Sequence, residues 1–445
     1  MAPEARTTVN ASRRGRAVLV QLFCDFAFIV LGVLYLPIFA YRAVCDRDWR
    51  RAIAGRLGFP PRSKPGESVV WIHGVSVGEV KGLSSLVDRV SALRPDLSIV
   101  VSTTTSTGQR LARERYRDHR VIHYPLDFGP CPGFAIRRIR PRCIVLMELE
   151  IWPRFVHAAV KRGIPVIVVS ARISERSFRG YRRARFALPQ FDWISQYCVQ
   201  NEVYRKRLIE LGVAESRLTV TGNLKYDNAA TPQHTAQADE LRAWLAADGR
   251  PVLVCGSTHR NEDEMLADAG LAAAKANDCR VRIVIAPRHP DRVPAVFDVL
   301  QQRGHQPLRW SDCEQARPAL GDEVLVVDTI GQLEAFYGAC DVAFVGGSLV
   351  PHGGQNMIEP AALGRAVVFG PHTENFRSEV ELLLAAEAAL RVEDEEGARE
   401  AFRTLFGDEA RRQELGDRAA QLVEQNQGAV ERTVEILGPY LPSQV

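Results

Sequence analysis

Nine short apolar runs, separated by stretches of helical periodicity, constrain this 445-residue chain more than any other feature. The first series is VVWIH (69–73), LSIVVS (97–102), CIVLME (143–148) and PVIVVS (165–170). A second series starts at PVLVCGS (251–257) and continues with VRIVIAP (281–287), VLVVD (324–328), VAFVGG (342–347) and AVVFG (366–370). Runs this short and this rich in Val and Ile read as strands buried on both faces. Alternating with helical stretches, they form βαβ units of a parallel sheet. The polar stretch DNAATPQHTAQAD (227–239) interrupts the alternation and predicts a linker. The expected fold class is α/β, with two doubly wound Rossmann-like domains. The boundaries are a leading segment at 1–45, a first domain at 46–226, a linker at 227–250 and a second domain at 251–445. Ligands in such folds sit at the carboxyl ends of the strands, and a cleft between two such domains is the default active site.

Residues 17–40 read AVLVQLFCDFAFIVLGVLYLPIFA, an apolar run with Arg13, Arg14 and Arg16 before it and Arg42, Arg47, Arg50 and Arg51 after it. A spanning helix needs about 20 apolar residues. Gln21 and Asp25 interrupt the start of this run, and Pro37 bends its end. We expect an uncleaved N-terminal membrane-anchor helix. A cleaved signal peptide lacks the small residue it needs at Ile38, and a buried core helix is the remaining reading. Nine scattered cysteines, with no CxxC pair, argue for small buried hydrophobes rather than a disulfide framework or a structural zinc.

Net charge is +4, but residues 1–222 carry 36 Lys/Arg against 18 Asp/Glu, and the remainder carries 21 against 35. A basic first half implies an anionic partner: nucleic acid, anionic lipid or a phosphorylated substrate. No RNA-binding motif or zinc finger favours nucleic acid. Six arginines (172, 176, 179, 182, 183 and 185), with Phe178, Tyr181 and Phe186 between them, make a basic segment. It either grips phosphates or an anionic membrane surface, or is a solvated helix face.

The residues that could carry chemistry cluster at strand ends. The first strand runs into His73-Gly74-Val75-Ser76-Val77-Gly78-Glu79. Glu79 there is either a general base within reach of an acceptor hydroxyl or a helix N-terminal carboxylate favoured by the macrodipole. Glu148 and Glu150 follow another strand, before Trp152-Pro153. In extended chain they point the same way. Both then face the cleft, or one pairs with a nearby Arg. Lys225, in GNLKYD, is placed to meet a phosphate. In the second half GSTH (256–259), Arg288-His289 and the Gly-rich stretch GGSLVPHGGQNMIEP (346–360) suit a nucleotide phosphate, with Glu359 placed for ribose hydroxyls. The histidines are not at metal-ligand spacing.

Together SVGEV, MELEIWP, ARISERS, GNLKYD, GSTH, RHPDR, GGSLVPHGGQNMIEPA and GPHTENF resemble, in order, the motifs of the 3-deoxy-D-manno-octulosonic acid (Kdo) transferases of Gram-negative bacteria. The resemblance implies a GT-B fold, with its two domains facing a cleft, anchored at the cytoplasmic face of the inner membrane. It implies inverting transfer of Kdo from CMP-Kdo to a phosphorylated lipid A precursor (lipid IVA), with no metal and no cofactor. By motif position Glu79 is similar to the family's proton acceptor, and Glu148 and Lys225 to residues that stabilise the transition state. Arg288, His289, Ile330, Gly331, Gln332, Asn356, Met357, Ile358 and Glu359 match the CMP-binding stretches. Lys225, Arg288 and the amides of the Gly-rich loop would then stabilise the departing phosphate. Departures from the family pattern fall at Arg154, Gln332, Gln355 and Met357, and at STHRNED, where the family reads STHxGEE.

Overall fold

The computed structural model describes residues 47–442 apart from 186, 187, 230, 231 and 318. The chain divides into two compact units. The first runs through Asn228 and takes up the chain again from Gln427, and the second is Ala229–Asn426.

The first unit holds a seven-stranded sheet in the order β3-β2-β1-β4-β5-β6-β7. Its strands are β1 (Val69–His73), β2 (Ser98–Thr103), β3 (Arg120–His123), β4 (Pro141–Met147), β5 (Val166–Ala171), β6 (Gln196–Val199) and β7 (Leu218–Val220). Every pairing is parallel. Successive side chains alternate between two cores, as the strand period requires. Val69 and Trp71 pack with Ile144, Phe155 and Tyr197, whereas Val70 and Ile72 pack with Val80, Leu86 and Val145. The chain runs from β1 through β2 to β3 on one side and then returns to place β4 on the other side of β1, so the winding reverses between β1 and β4. In such a sheet this topological switch point is where ligands bind.

The second unit repeats the plan in the order β10-β11-β9-β8-β12-β13-β14. Its strands are β8 (Val252–Thr258), β9 (Arg282–Pro287), β10 (Pro307–Arg309), β11 (Val324–Val326), β12 (Val342–Val345), β13 (Ala366–Phe369) and β14 (Ala389–Arg391). All are parallel, with the switch point between β8 and β12. Leu253 and Cys255 enter one core and Val252 and Val254 the other. The two sheets bear out the α/β expectation.

Two expected boundaries move. The polar linker at 227–250 is largely the helix Pro232–Leu245. Its Leu241 and Leu245 are buried with Val252, Trp310 and Phe336, and Ala238 packs where Gly338 leaves room. Polar residues on its outer face mask this apolar stripe in the sequence. At the other end, the helix Ala429–Leu437 leaves the expected second domain. It buries Ala429, Val430 and Leu437 beside Val80, Leu83 and Leu224 of the first unit. Amphipathic periodicity shows that a helix has a buried face and is silent on what covers it.

No helix among the described residues is long and apolar enough to cross a membrane. The expected anchor at 17–40 lies outside the described residues. Cys143, Cys198 and Cys340 are buried among apolar neighbours, which pushes their thiols up to about 12.

Candidate active site

In the first unit the carboxylates gather at the β1/β4 switch point. β1 ends at His73, and Gly74 turns the chain. A Cβ there would press on Leu83 and on Glu79 itself. Ser76 then caps the helix Val77–Gly82, its Oγ accepting from Glu79 N at 3.4 Å. The Glu79 carboxylate folds back over this turn. Val75 N donates to Oε2 at 2.9 Å and Ser76 Oγ to Oε1 at 3.0 Å. This is a variant of the capping box, so the helix-start reading of Glu79 holds. The electrostatics add a second property. Burial, then the charge of Glu148 and more weakly that of Glu150, push Glu79 up to about 7, against the pull of the Val75 and Ser76 donors. A carboxyl group poised near neutrality takes up and releases a proton where chemistry at pH 7 needs it.

Glu148 opens the turn after β4. Its φ of +55° ends the strand, so residues 148–150 are not the extended stretch the sequence suggested. The two carboxylates part as a result. Glu148 Oε2 meets Arg172 Nε at 2.8 Å and its Oε1 lies 3.7 Å from Lys225 Nζ. Glu150 Oε2 accepts instead from Trp152 Nε1 at 2.8 Å. Burial pushes Glu150 above the ordinary carboxylate range, with Glu148 adding to the rise. Lys225 reaches this site from the helix Leu224–Asp227. Asn223 caps that helix with an Oδ1 to Lys225 N bond of 3.1 Å and ties it to the buried Ser170. The structure thus brings Glu79, Glu148, Glu150, Arg172 and Lys225 together.

The basic segment divides by role. Arg172 turns to Glu148, Arg185 bonds Asp192 and the carbonyl of Leu188, and Arg179 pairs with Glu175. Arg176, Arg182 and Arg183 lie exposed on the helix Glu175–Ala184, and Phe178 is its buried anchor. Phe186 lies outside the described residues.

In the second unit the loops after β8 and β12 meet at the other switch point. The expected role of the Gly-rich loop is corrected here. The N–H groups of Gly347, Ser348 and Leu349 do not stand open for a phosphate. They donate to the carboxylate of Glu262 at 2.6, 3.0 and 2.9 Å, and His259 N adds a fourth bond at 2.8 Å. Glu262 is fully buried. A buried carboxylate is tolerated when its lone pairs are filled, and this one serves as an internal anion for the loop. The residue before it, Asn261, has φ +76°, a conformation that suits the glycine of the STHxGEE pattern and that Asn tolerates. Glu262 went unremarked in the sequence because nothing there marks a carboxylate as buried.

His259 stacks on His352 with ring centroids 4.1 Å apart and meets His289 edge-on at 6.1 Å. Burial, with the neighbouring histidines and Arg292 and Arg288, lowers His259 to about 4, so its ring is neutral at pH 7. Arg292 is committed to Asp263, while Arg288, among the described residues, carries no ion pair. Asn356 Oδ1 accepts from Ile358 N and its Nδ2 donates to Glu359 Oε1, both at 3.1 Å. Met357 and Ile358 are buried, so their side chains belong to the packing of this unit. Gln332 accepts from Gln237 at 2.7 Å, Gly331 has φ +92° and Ile330 is 74% exposed. Among the described residues no group of three or more His, Cys, Asp or Glu is arranged to hold a metal ion.

Comparison with known proteins decides what these two sites belong to. Residues 51–228 match the family model for 3-deoxy-D-manno-octulosonic-acid transferase (kdotransferase). The 3-deoxy-D-manno-octulosonic acid transferase of Haemophilus influenzae is 34% identical over 431 residues, 96% of this chain and 100% of that protein. This chain belongs to the Kdo transferase family. The Bordetella pertussis 3-deoxy-D-manno-octulosonic acid transferase is 36% identical to it over 84% of this chain and 87% of that protein. The transferase also shares its fold with UDP-GlcNAc 2-epimerase from Neisseria meningitidis, at a TM-score of 0.57 and 13% identity, over 84% of this chain and 100% of that one. The α/β glycosyltransferase fold and the membership in a glycosyltransferase family agree with the expectations from the motifs.

Proposed function

We propose that this Kdo transferase moves Kdo from CMP-Kdo to a phosphorylated lipid A precursor, lipid IVA, with inversion at the anomeric carbon and with Glu79 as proton acceptor. The observation that carries the reading is a carboxyl group at the β1/β4 switch point, tethered by Val75 and Ser76 and raised to about 7. The acceptor hydroxyl oxygen bonds to the Kdo anomeric carbon as the bond from that carbon to the CMP phosphate oxygen breaks. The hydroxyl proton passes to Glu79 and the bonding electrons leave with CMP. Lys225, held beside Glu148, and Arg288 supply positive charge for the departing phosphate, so the transfer proceeds without a metal ion or a cofactor. Asn356 and Glu359 hold the ribose, the backbone from Asn356 to Ile358 lines the nucleotide, and His289 and the Ile330–Gln332 turn complete that pocket.

The basic first unit suits an acceptor that carries phosphates, and no part is assigned to nucleic acid. The apolar run at 17–40 and the exposed arginines of the helix Glu175–Ala184 support a location on an anionic membrane surface, the cytoplasmic face of the inner membrane. The test is a transfer assay with CMP-Kdo and lipid IVA in detergent, with a chelator present, read by mass spectrometry of the lipid. A gain of Kdo mass supports the reaction and its independence of metal. CMP release with no gain in lipid mass overturns the acceptor, and absence of CMP binding overturns the donor.

A further inference from the structure

We propose that Trp152 is the platform on which a pyranose ring of the acceptor stacks, and that Glu150 is the residue that positions it. The inference rests on the function proposed above and names the part of the acceptor that the first unit grips. Trp152 lies between two rigid elements. Ile151 before it is buried, and Pro153 after it opens the helix Pro153–Val160, whose Arg154 and Phe155 N–H groups bond the Asp127 carboxylate at 3.0 and 2.7 Å. Trp152 is nevertheless 42% exposed, a large aromatic residue left in water beside a cluster of carboxylates. The single polar atom of its indole is already satisfied, since Nε1 donates to Glu150 Oε2 at 2.8 Å. The ring is thereby fixed in orientation and offers its apolar surface, not its N–H, to an incoming group.

Glu150 is near enough to the base for its charge to act on Glu79, and it acts on Tyr181 as well. The ring pinned to Glu150 is thus part of the same carboxylate cluster. The chemistry of an aromatic face selects the occupant. The π-face is electron-rich, and the C–H bonds along one side of a pyranose are electron-poor and apolar. A sugar can lie flat on the indole and keep its hydroxyls free, one of them for Glu79. An indole that served as a lipid-interface anchor would keep its N–H for headgroups and water. This one has given it to Glu150.

The experiment compares wild-type enzyme with Trp152→Ala and Trp152→Phe, using lipid IVA in detergent micelles and CMP-Kdo. The exposure of the ring makes both variants compatible with folding. The expected result is an acceptor KM raised about ten-fold or more in Trp152→Ala, with kcat far less affected and CMP affinity by calorimetry unchanged. Trp152→Phe, which keeps an aromatic face, should recover most of the loss. Lipid IVA should also quench tryptophan fluorescence in the wild type and not in Trp152→Phe, a readout that needs no turnover and so survives a failure of the proposed reaction. An unchanged acceptor KM in Trp152→Ala overturns the platform. Equal losses in both variants overturn it too, because the indole N–H and not the ring face would then be what matters. A variant that loses binding to phosphatidylglycerol vesicles and keeps its acceptor KM in micelles assigns the ring to the bilayer and overturns the inference.

Discussion

The carboxylate of Glu148 lies between two cations, 2.8 Å from Arg172 Nε and 3.7 Å from Lys225 Nζ, and its own charge helps to push Glu79 up to about 7. A carboxylate whose field acts on a second carboxyl group divides the labour between two like residues. One is engaged with fixed positive charge, and the other is left to exchange a proton.

The pH dependence of transfer follows. Glu79 accepts a proton only when ionised, so kcat/KM for the acceptor should rise about ten-fold per pH unit below 7 and level off above it. Lys225→Gln removes a cation that offsets the field of Glu148, and the limb should move to higher pH. Glu79→Gln should cost a factor of about 10² to 10⁴ in turnover and leave CMP binding intact. Steady-state kinetics across pH check all three, and an unmoved limb in Lys225→Gln would separate that lysine from the base.

Stability should carry the same signature with the opposite sign. A carboxyl group raised from 4.5 to about 7 holds its proton more tightly folded than unfolded. Its contribution favours the folded state below pH 4.5 relative to high pH, falls away as pH rises through that window and is lost above 7. Glu79→Gln should therefore be more stable than the wild type above pH 7, by up to about 3 kcal/mol, with the gain shrinking toward pH 4.5. Urea melts at several pH values measure it, and a gain independent of pH would contradict it.

Glu262 holds the turn after β8 to the loop after β12 in the second unit. Glu262→Ala leaves the N–H groups of His259, Gly347, Ser348 and Leu349 without their acceptor, and the expected loss is about 3–5 kcal/mol. Glu262→Gln keeps one acceptor oxygen and turns an NH₂ group toward donors, so it should fall between. CMP affinity should drop in step with the unfolding midpoint. A variant of wild-type stability would mean that the loop holds its shape without the internal anion.

Asp227 caps a helix far away in the sequence. Its two oxygens accept from Gly428 N at 2.6 Å and Val430 N at 2.8 Å, at the start of the helix Ala429–Leu437. Asp227→Ala should cost about 1–2 kcal/mol. It should also speed amide exchange in residues 429–437 before the rest of the first unit responds. Hydrogen exchange by mass spectrometry resolves the two.

The centre of both sheets was legible because buried parallel strands must be apolar on both faces. VVWIH is β1 to the residue, and AVVFG exceeds β13 by one. The margins were not. β3 reads RVIH, β10 PLR and β14 ALR, and at three or four incompletely buried residues each they carry no apolar run to find. β6, QYCV, is wholly buried but short and opens on a glutamine. At the site, chemistry at strand ends singled out Glu79 as either a base or a helix-start carboxylate, and offered an Arg partner for one of Glu148 and Glu150 as one of two readings; the structure supplies Arg172 for Glu148. The positive φ of Glu148, the Trp152–Glu150 bond and the burial of Glu262 depend on tertiary packing. No residue type or spacing announces them.

The helix Ala429–Leu437 has a consequence for how the protein is made. It completes the core of the first unit, with Ala429, Val430 and Leu437 against Val80 and Leu83. Yet the ribosome reaches it only after the whole of the second unit has been translated. During synthesis the N-terminal sheet must wait with one apolar flank open while Ala229–Asn426 emerges and folds. The last assembly step is a short amphipathic helix finding a site already built, with Asp227 waiting there to receive its first N–H groups.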